Sequence, residues 1–401
     1  MERYVVLGMA RSGIAAAHLL AGSGKHVLIC DAKTEDKLDA SIALLREENV
    51  EWHLGEDPCT LLDGVSALVV SPGVPDTNPA VVLAKEKGIE VMAEIELAWR
   101  MFRGITCAVT GTNGKTTTTT LLAEIFRNAG YKADPVGNIG IPFTGICQDS
   151  RTGDIAVCEV SSFQMETCSR FRPRAAAVLN ITPDHLNRHG TMDVYIGLKK
   201  KIFANMAGDD AVVLNYDDPI TRAMADDVNC RIIYFSRREC LQDGAYLSGE
   251  TLMYDGKPLC TRDEVYIKGD HNIENALAAL AMAAYMGVPL ETIAETLRSF
   301  RGVEHRIETF LEKDGITYIN DSKGTNTDST IKAIRTMTRP TVIILGGSEK
   351  NQDFAEMARE MLTSQVKAAV LIGVTAPQIK RQLLAEGFTE LYEAGSDFEK
   401  A

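Results

Sequence analysis

Ten residues, Val109-Thr110-Gly111-Thr112-Asn113-Gly114-Lys115-Thr116-Thr117-Thr118, constrain this chain more than any other stretch. An apolar lead-in from Ile105 to Val109 predicts a buried strand, and Leu121, Leu122, Ile125 and Phe126 recur at helical spacing behind the loop. A glycine-containing loop between strand and helix turns backbone N–H groups inward. The helix N-terminus adds partial positive charge, and together they hold phosphate. In that setting Lys115 reaches the terminal phosphates and the Thr116 hydroxyl suits Mg²⁺. The spacing departs from G-x-x-x-x-G-K-[ST], because Val109 stands where that pattern begins with glycine. The order of strand, loop, Lys-Thr and helix still implies a nucleoside triphosphate site.

The segments before this loop read as a Rossmann-like unit. Tyr4 to Leu7 predicts a strand, Gly8-Met9-Ala10-Arg11-Ser12-Gly13 a turn, Ile14 to Ala21 a helix, and His26 to Cys30 a strand closing on Asp31. Ala10 and Arg11 break G-x-G-x-x-G, which weakens a dinucleotide site while still favouring an anion. Ala67 to Val70 predicts a third strand running into Ser71-Pro72-Gly73-Val74-Pro75, a rigid turn at the carboxyl edge of the sheet.

Behind the phosphate loop, Val136 to Gly140 predicts a glycine loop with Asn138 at its centre. Asp154 to Glu159 predicts a strand whose terminal carboxylate holds Mg²⁺ directly or through water. Ala175 to Leu179 predicts the strand beside it, followed by His185 as a metal ligand or phosphate contact. Tyr195 to Phe203 predicts a helix in which Lys199, Lys200 and Lys201 span ~200°, so that at least one faces inward. Gly244 to Ile267 reads as an antiparallel insertion. Asn272 and Asn275 precede an alanine-rich helix and suit a base edge or a helix cap. Past Gly302, strands at Ile316–Asn320, Thr341–Leu345 and Lys367–Ile372 predict a second Rossmann-like domain with two lysine-bearing loops on one edge, Asp321-Ser322-Lys323-Gly324-Thr325-Asn326 and Gly346-Gly347-Ser348-Glu349-Lys350. The expected architecture is α/β in three domains: Rossmann-like over 1–93, a P-loop ATPase-like parallel sheet over 94–302, and Rossmann-like over 303–401.

Global properties narrow the partners. A formal charge of −13 over 401 residues argues against a nucleic-acid binder. No apolar run approaches the ~18 residues of a membrane span. Nine cysteines without C-x-x-C spacing suit buried thiols in a reducing cytosol.

Gly111-Thr112-Asn113-Gly114-Lys115-Thr116 followed by Glu159, His185, Asn272, Asn275, Arg306 and Asp321 resembles the ATP-dependent Mur ligases, and the resemblance runs through the whole chain in motif order. The Rossmann-like first domain with Gly8-x-x-x-Ser12-Gly13, together with Asp321-Ser322-Lys323-Gly324-Thr325-Asn326, resembles their D-glutamate-adding branch. The resemblance implies an enzyme of peptidoglycan precursor synthesis that phosphorylates the carboxylate of UDP-MurNAc-L-Ala with ATP and lets D-glutamate attack the acyl phosphate. It implies that Gly111 to Thr117 cradle ATP, with Asn272 and Asn275 on adenine, Asp321 on ribose and Arg306 on the terminal phosphate. Two Mg²⁺ sites follow, Thr116 and Glu159 holding one, and His185 with a carbamylated lysine the other; the Tyr195-x-x-x-Lys199-x-Lys201-Ile202 frame makes that lysine Lys199. The UDP substrate falls to Ala10, Arg11, Ser12, Asp31, Lys33, Ser71, Pro72, Gly73 and Asn138. Lys323, Thr325 and Lys350 meet the acyl phosphate or D-glutamate. A cytoplasmic monomer is expected. The chain closes on Ser396-Asp397-Phe398-Glu399-Lys400-Ala401, a capping-box pattern where family members run on through a strand and a serine loop. The expectation is a truncated third domain, with UDP-substrate binding retained and weak or absent ligation.

Overall fold

The structure, a computed structural model, describes residues 2–45, 49–348 and 352–396. Lys350, and the Glu399 half of the terminal capping pattern, lie outside the described residues.

The first sheet has five parallel strands in the order Val50–Leu54, His26–Asp31, Arg3–Leu7, Ala67–Val70, Glu90–Ala93. Its inner strands are apolar without alternation because helices cover both faces; Ala67, Leu68, Val69 and Val70 are all buried. Val50–Leu54 is the strand that makes Ala67–Val70 the fourth along the chain rather than the third. The first turn is drawn tight by glycine: a Cβ on Gly13 would stand 1.8 Å from the Gly8 carbonyl oxygen. The carboxylate of Asp31 then fixes the loop by accepting the N–H of Met9 at 2.8 Å and of Lys33 at 2.9 Å.

The central sheet has nine strands. Six of its parallel strands carry the site, in the order Arg231–Ser236, Ala211–Asn215, Ala175–Val178, Ile105–Thr110, Ile155–Glu159, Ala133–Gly137. The expected adjacency of Ile155–Glu159 and Ala175–Val178 is corrected here. The phosphate-loop strand lies between them, so Glu159 and His185 flank the loop from opposite sides. Ala133–Gly137 takes in part of the expected glycine loop as an edge strand. The Gly244–Ile267 segment extends this same sheet: Ala245–Ser248 joins parallel to Arg231–Ser236, and Thr251–Tyr254 pairs antiparallel with both Ala245–Ser248 and Lys257–Thr261.

Helix Asp270–Tyr285 packs on helix Lys115–Asn128, and its alanines (Ala276, Ala278, Ala279, Ala281, Ala283) are wholly buried, which lets the two helices approach closely. Asn272 and Asn275 therefore stand inside this helix rather than before it, and Gly269 takes the N-cap with φ 96°. Neither asparagine caps it.

The linking helix Glu94–Met101 joins the first two domains into one packed body. Glu96 is fully buried and accepts the N–H groups of Ser169 and Arg170 at 2.5 and 3.1 Å, while Arg100 pairs with it one turn on. Leu19 of the first domain packs into the core beneath the central sheet.

In the last third, Ile316–Asn320 forms a hairpin with Glu308–Lys313, apart from the parallel sheet Thr341–Gly346, Val366–Ile372, Leu391–Gly395. Its side chains explain the separation: Phe310, Ile316 and Tyr318 are exposed, so the hairpin does not share the buried layer of Leu345, Ala369 and Leu371.

Candidate functional site

The phosphate loop occupies the carboxyl edge of the central sheet, held from the neighbouring strand's end. Asn180 accepts the N–H of Asn113 at 2.8 Å and donates to its carbonyl at 3.0 Å, and the Thr112 hydroxyl accepts the N–H of Thr182 at 2.9 Å. Gly114 starts the helix with φ 86°, and a Cβ there would meet Asn275 Oδ1 at 2.2 Å. Gly114→Ala combines a strained left-handed φ with that clash. It is expected to destabilise the protein by about 1–3 kcal/mol, read as a lowered Tm, with weakened ATP binding in calorimetry.

Two cavities open on either side of this loop. The first is lined by Asn113, Gly114, Thr117, Asn272, Asn275, Arg306 and Asp321, so that the residues expected around a nucleotide converge from all parts of the chain beyond the first domain. Asn275 is buried, accepting from Thr118 Oγ1 at 3.3 Å and donating to Asn272 Oδ1 at 3.2 Å. Arg306 donates to the Lys323 carbonyl at 3.1 Å, while its Nε is buried without a partner. Asp321 accepts the Ile307 N–H, and burial pushes its carboxyl above the usual range. Lys332 and His271 share this cavity without a legible signal in the sequence, and Lys332 pairs with Asp328 at 2.8 Å. Asp328 in turn accepts Asn113 Nδ2 at 2.5 Å, so the third domain touches the phosphate loop directly.

Burial holds the His271 imidazole down to about 4. Its folded pKa lies below the unfolded value, so its contribution to stability is complete above the ordinary histidine pKa and is lost as pH falls toward 4. A slope of up to ~1.4 kcal/mol per pH unit is expected in that window. Thermal unfolding followed from pH 7 to 4 should show it, and His271→Gln should flatten it.

The second cavity is lined by Lys115, Asn138, Ser162, His185 and Lys199 among others. Lys115 Nζ rests on the carbonyls of Gly111 and Thr112 at 2.9 and 2.7 Å, and desolvation lowers its pKa. Lys199 is 1% exposed, with Nζ 2.8 Å from the Gly111 carbonyl. Burial first, and the neighbouring Lys115 charge second, push its pKa well below the ordinary lysine value. Its neighbours diverge: Lys200 pairs with Asp227 on the surface, and Lys201 caps the carbonyls of Met165 and Glu166. Glu159 is buried; one oxygen accepts Asn138 Nδ2 at 2.8 Å, and Oε2 has no partner. Thr116 is buried at the start of the loop helix. His185 adopts φ 54°, and its ring lies 4.8 Å from that of Phe163. Asp184, also on the cavity wall, stands 3.5 Å from His185 Nε2 and is contacted by Asn326 at 3.4 Å.

Not every expected residue reaches these cavities. Lys323 and Thr325 are exposed and line neither. Arg11, Lys33 and Gly73 are exposed along the first-domain edge, and Ser12 and Pro72 are half-buried there. Ser71 is buried and donates to the Gly8 carbonyl.

The donor set fits Mg²⁺. Among the described residues no three His, Cys, Asp or Glu side chains cluster as a ligand cage. Mg²⁺ does not ask for one, since it keeps waters and substrate phosphates and takes one or two protein oxygens. The buried, unpartnered Glu159 Oε2 supplies that kind of ligand. Among the described residues no helix is long and apolar enough to cross a membrane, and the nine cysteines are free thiols.

Family models match three consecutive stretches: the N-terminal domain of MurD-like Mur ligases over 2–93, the Mur ligase middle domain over 109–283, and the Mur ligase glutamate ligase domain over 305–401. A UDP-N-acetylmuramoylalanine–D-glutamate ligase of Pelotomaculum thermopropionicum is 44% identical over 98% of this chain and 87% of its own length. Proteins of the same name from Caldanaerobacter subterraneus and Clostridioides difficile are 42% and 41% identical over 97% and 98% of the chain, and over 86% and 87% of their own lengths. The fold matches a UDP-N-acetylmuramate-alanine ligase, MurC, from Thermotoga maritima (TM-score 0.63, 20% identity, 99% of this chain and 91% of that one). It also matches a pseudomurein peptide ligase type C from Methanothermus fervidus (TM-score 0.59, 19% identity, 98% and 88%). With its site assembled around the phosphate loop and relatives alike over nearly its whole length, the chain belongs to the Mur ligase family.

Proposed function

We propose that the protein is an ATP-dependent amide ligase that joins D-glutamate to the L-alanine carboxylate of UDP-MurNAc-L-Ala through an acyl phosphate, in cytoplasmic peptidoglycan precursor synthesis, acting as a monomer. The observation that carries this reading is the convergence of Lys115, Asn138, His185 and Lys199 on one cavity beside the phosphate loop, next to a second cavity lined by Asn272, Asn275, Arg306 and Asp321. The working division of the chain is 1–93 for the UDP substrate, 94–302 for ATP and 303–401 for the amino acid.

In this reading Asn275 and Asn272 offer amides to the adenine edge, Asp321 faces the ribose, and Arg306 meets the phosphates. Lys115 leaves the Gly111 and Thr112 carbonyls and turns to the transferring phosphoryl group. A desolvated cation is worth more there than in water. Thr116 and Glu159 would hold one Mg²⁺, and His185 with a carbamylated Lys199 a second; bound there, the metals supply charge neutralisation for the phosphates. Lys199 suits the modification, because only a neutral amine adds CO₂ and burial already favours the neutral form. A carbamate would also replace repulsion of Lys115 by attraction. The first-domain turn Gly8–Ser12, Asp31, Lys33 and Ser71–Gly73 receives the UDP group, and Asn138 stands between Glu159 and the acceptor. Lys323, Thr325 and Lys350 receive D-glutamate, which requires Lys323 and Thr325 to move in from their exposed positions.

ADP release measured with each component omitted in turn, and across a panel of L- and D-amino acids, tests the proposal. Turnover should need ATP, UDP-MurNAc-L-Ala and D-glutamate together. Equal turnover without the amino acid, or with L-alanine in its place, would overturn it.

A further inference from the structure

A buried chain of side chains behind the reaction cavity is unused by the mechanism above. Ser162 opens the one-turn helix Ser162–Met165, whose start is fixed by the reciprocal Ser161–Gln164 capping box. It is 3% exposed and lines the same cavity as Lys115 and Lys199. Its Oγ lies 2.9 Å from His189 Nε2. On the other side of that ring, Nδ1 stands 3.7 Å from Glu166 Oε1, too far for a hydrogen bond but close enough for the carboxylate to favour a proton on Nδ1. Glu166 is clamped by Arg188 through Nε at 2.9 Å and Nη2 at 2.7 Å. Arg188 lies over the Phe163 ring at 4.5 Å and reaches the Val74 carbonyl of the first domain at 3.2 Å.

The chain has a direction. With the His189 proton on Nδ1, Nε2 is an acceptor and the Ser162 hydroxyl must donate to it. The lone pairs of Ser162 Oγ are then left for the cavity. Nearby, Lys115 and Lys199 are already satisfied by main-chain carbonyls and Asn138 Nδ2 by Glu159. An oriented acceptor on this wall selects a ligand that brings an N–H. In the ligation proposed above, the attacking amine is such a group, and it must reach the acyl carbon beside Lys115.

We propose that Ser162 is a substrate-contacting residue whose Oγ accepts an N–H of the attacking amine, and that His189 is the positioning residue that fixes Ser162 in the acceptor orientation. The Glu166–Arg188 clamp holds His189 and ties this wall to the Gly73–Val74 turn of the first domain. The contact serves amide formation and not phosphorylation of the carboxylate, because the amine enters only in the second half-reaction. This inference rests on the acyl-phosphate reading.

Two half-reactions separate the outcomes. Oxygen scrambling within ¹⁸O-labelled ATP, followed with the UDP substrate and no amino acid, reports carboxylate phosphorylation alone; product formation reports the whole reaction. Ser162→Ala should leave scrambling within about twofold, while kcat for amide formation falls about tenfold or more, the worth of one hydrogen bond made in the transition state. His189→Phe should reproduce that pattern. His189→Gln, whose side-chain amide can accept near the Nε2 position, should recover most of the loss. Equal loss of scrambling and amide formation in Ser162→Ala would overturn the inference as a merely structural effect. So would unchanged amide formation, or a His189→Gln variant no better than His189→Phe. Absence of scrambling in the parent protein would instead remove the acyl-phosphate reading, and this inference with it.

Discussion

Replacing Lys115 with alanine is expected to lower kcat about a thousandfold or more, with the protein still folded. Removing one preorganised donor from a developing charge costs ~2.7–4 kcal/mol in a water-excluded site, and Lys115 is a full charge rather than a dipole. Among the described residues its ammonium donates to the carbonyls of Gly111 and Thr112, both on the loop's own backbone. The lysine therefore contributes little to the wider fold, and thermal unfolding of Lys115→Ala should differ little from the parent. Arginine at the same place keeps the charge but not the compact point-charge geometry, and should recover only a small part. Turnover within a few-fold of the parent would remove Lys115 from the phosphoryl site.

The second large effect is at Lys199, and the three adjacent lysines make it specific. Lys199→Ala should abolish detectable turnover, and a short carboxylate such as acetate should restore part of it by supplying the oxygens of the proposed carbamate. Lys200→Ala removes only a surface pair with Asp227 and should leave turnover within about twofold. Lys201→Ala removes contacts to the Met165 and Glu166 carbonyls, so its cost should appear in stability. Bicarbonate depletion should weaken the parent protein and leave Lys199→Ala unaffected. Equal losses at all three positions with no rescue would contradict the assignment.

The elements legible in the sequence are those whose pattern is local. The phosphate loop is strand, glycine turn and helix within one short stretch, so its chemistry and position follow from neighbouring residues alone. Helix geometry alone made Lys199 legible only as one of three, because a helix turns ~100° per residue and at least one of three adjacent side chains must face inward; the family resemblance named Lys199, and it is the buried one. What escaped is non-local. Whether Ala175–Val178 lies next to Ile155–Glu159 depends on strand order, and the phosphate-loop strand inserts between them without any mark in either segment. Asn272 and Asn275 suited a base edge or a helix cap, since asparagine favours caps, but Gly269 with its positive φ takes the cap position ahead of both. His271, Lys332 and the Ser162–His189–Glu166 chain carry no motif spacing, and they matter through contacts between segments far apart in sequence. The hairpin Glu308–Lys313/Ile316–Asn320 shows the same limit, since an apolar strand pattern does not say which sheet receives it.

The acyl phosphate is the central claim, and one isotope measurement tests it. UDP-MurNAc-L-Ala labelled with ¹⁸O in its terminal carboxylate is incubated with ATP, Mg²⁺ and D-glutamate, and the released phosphate is analysed by mass. Phosphorylation of the carboxylate passes one labelled oxygen to phosphate when the amine displaces it. The account predicts one ¹⁸O in each phosphate formed per amide bond. Phosphate released alongside the amide product with no label would contradict it.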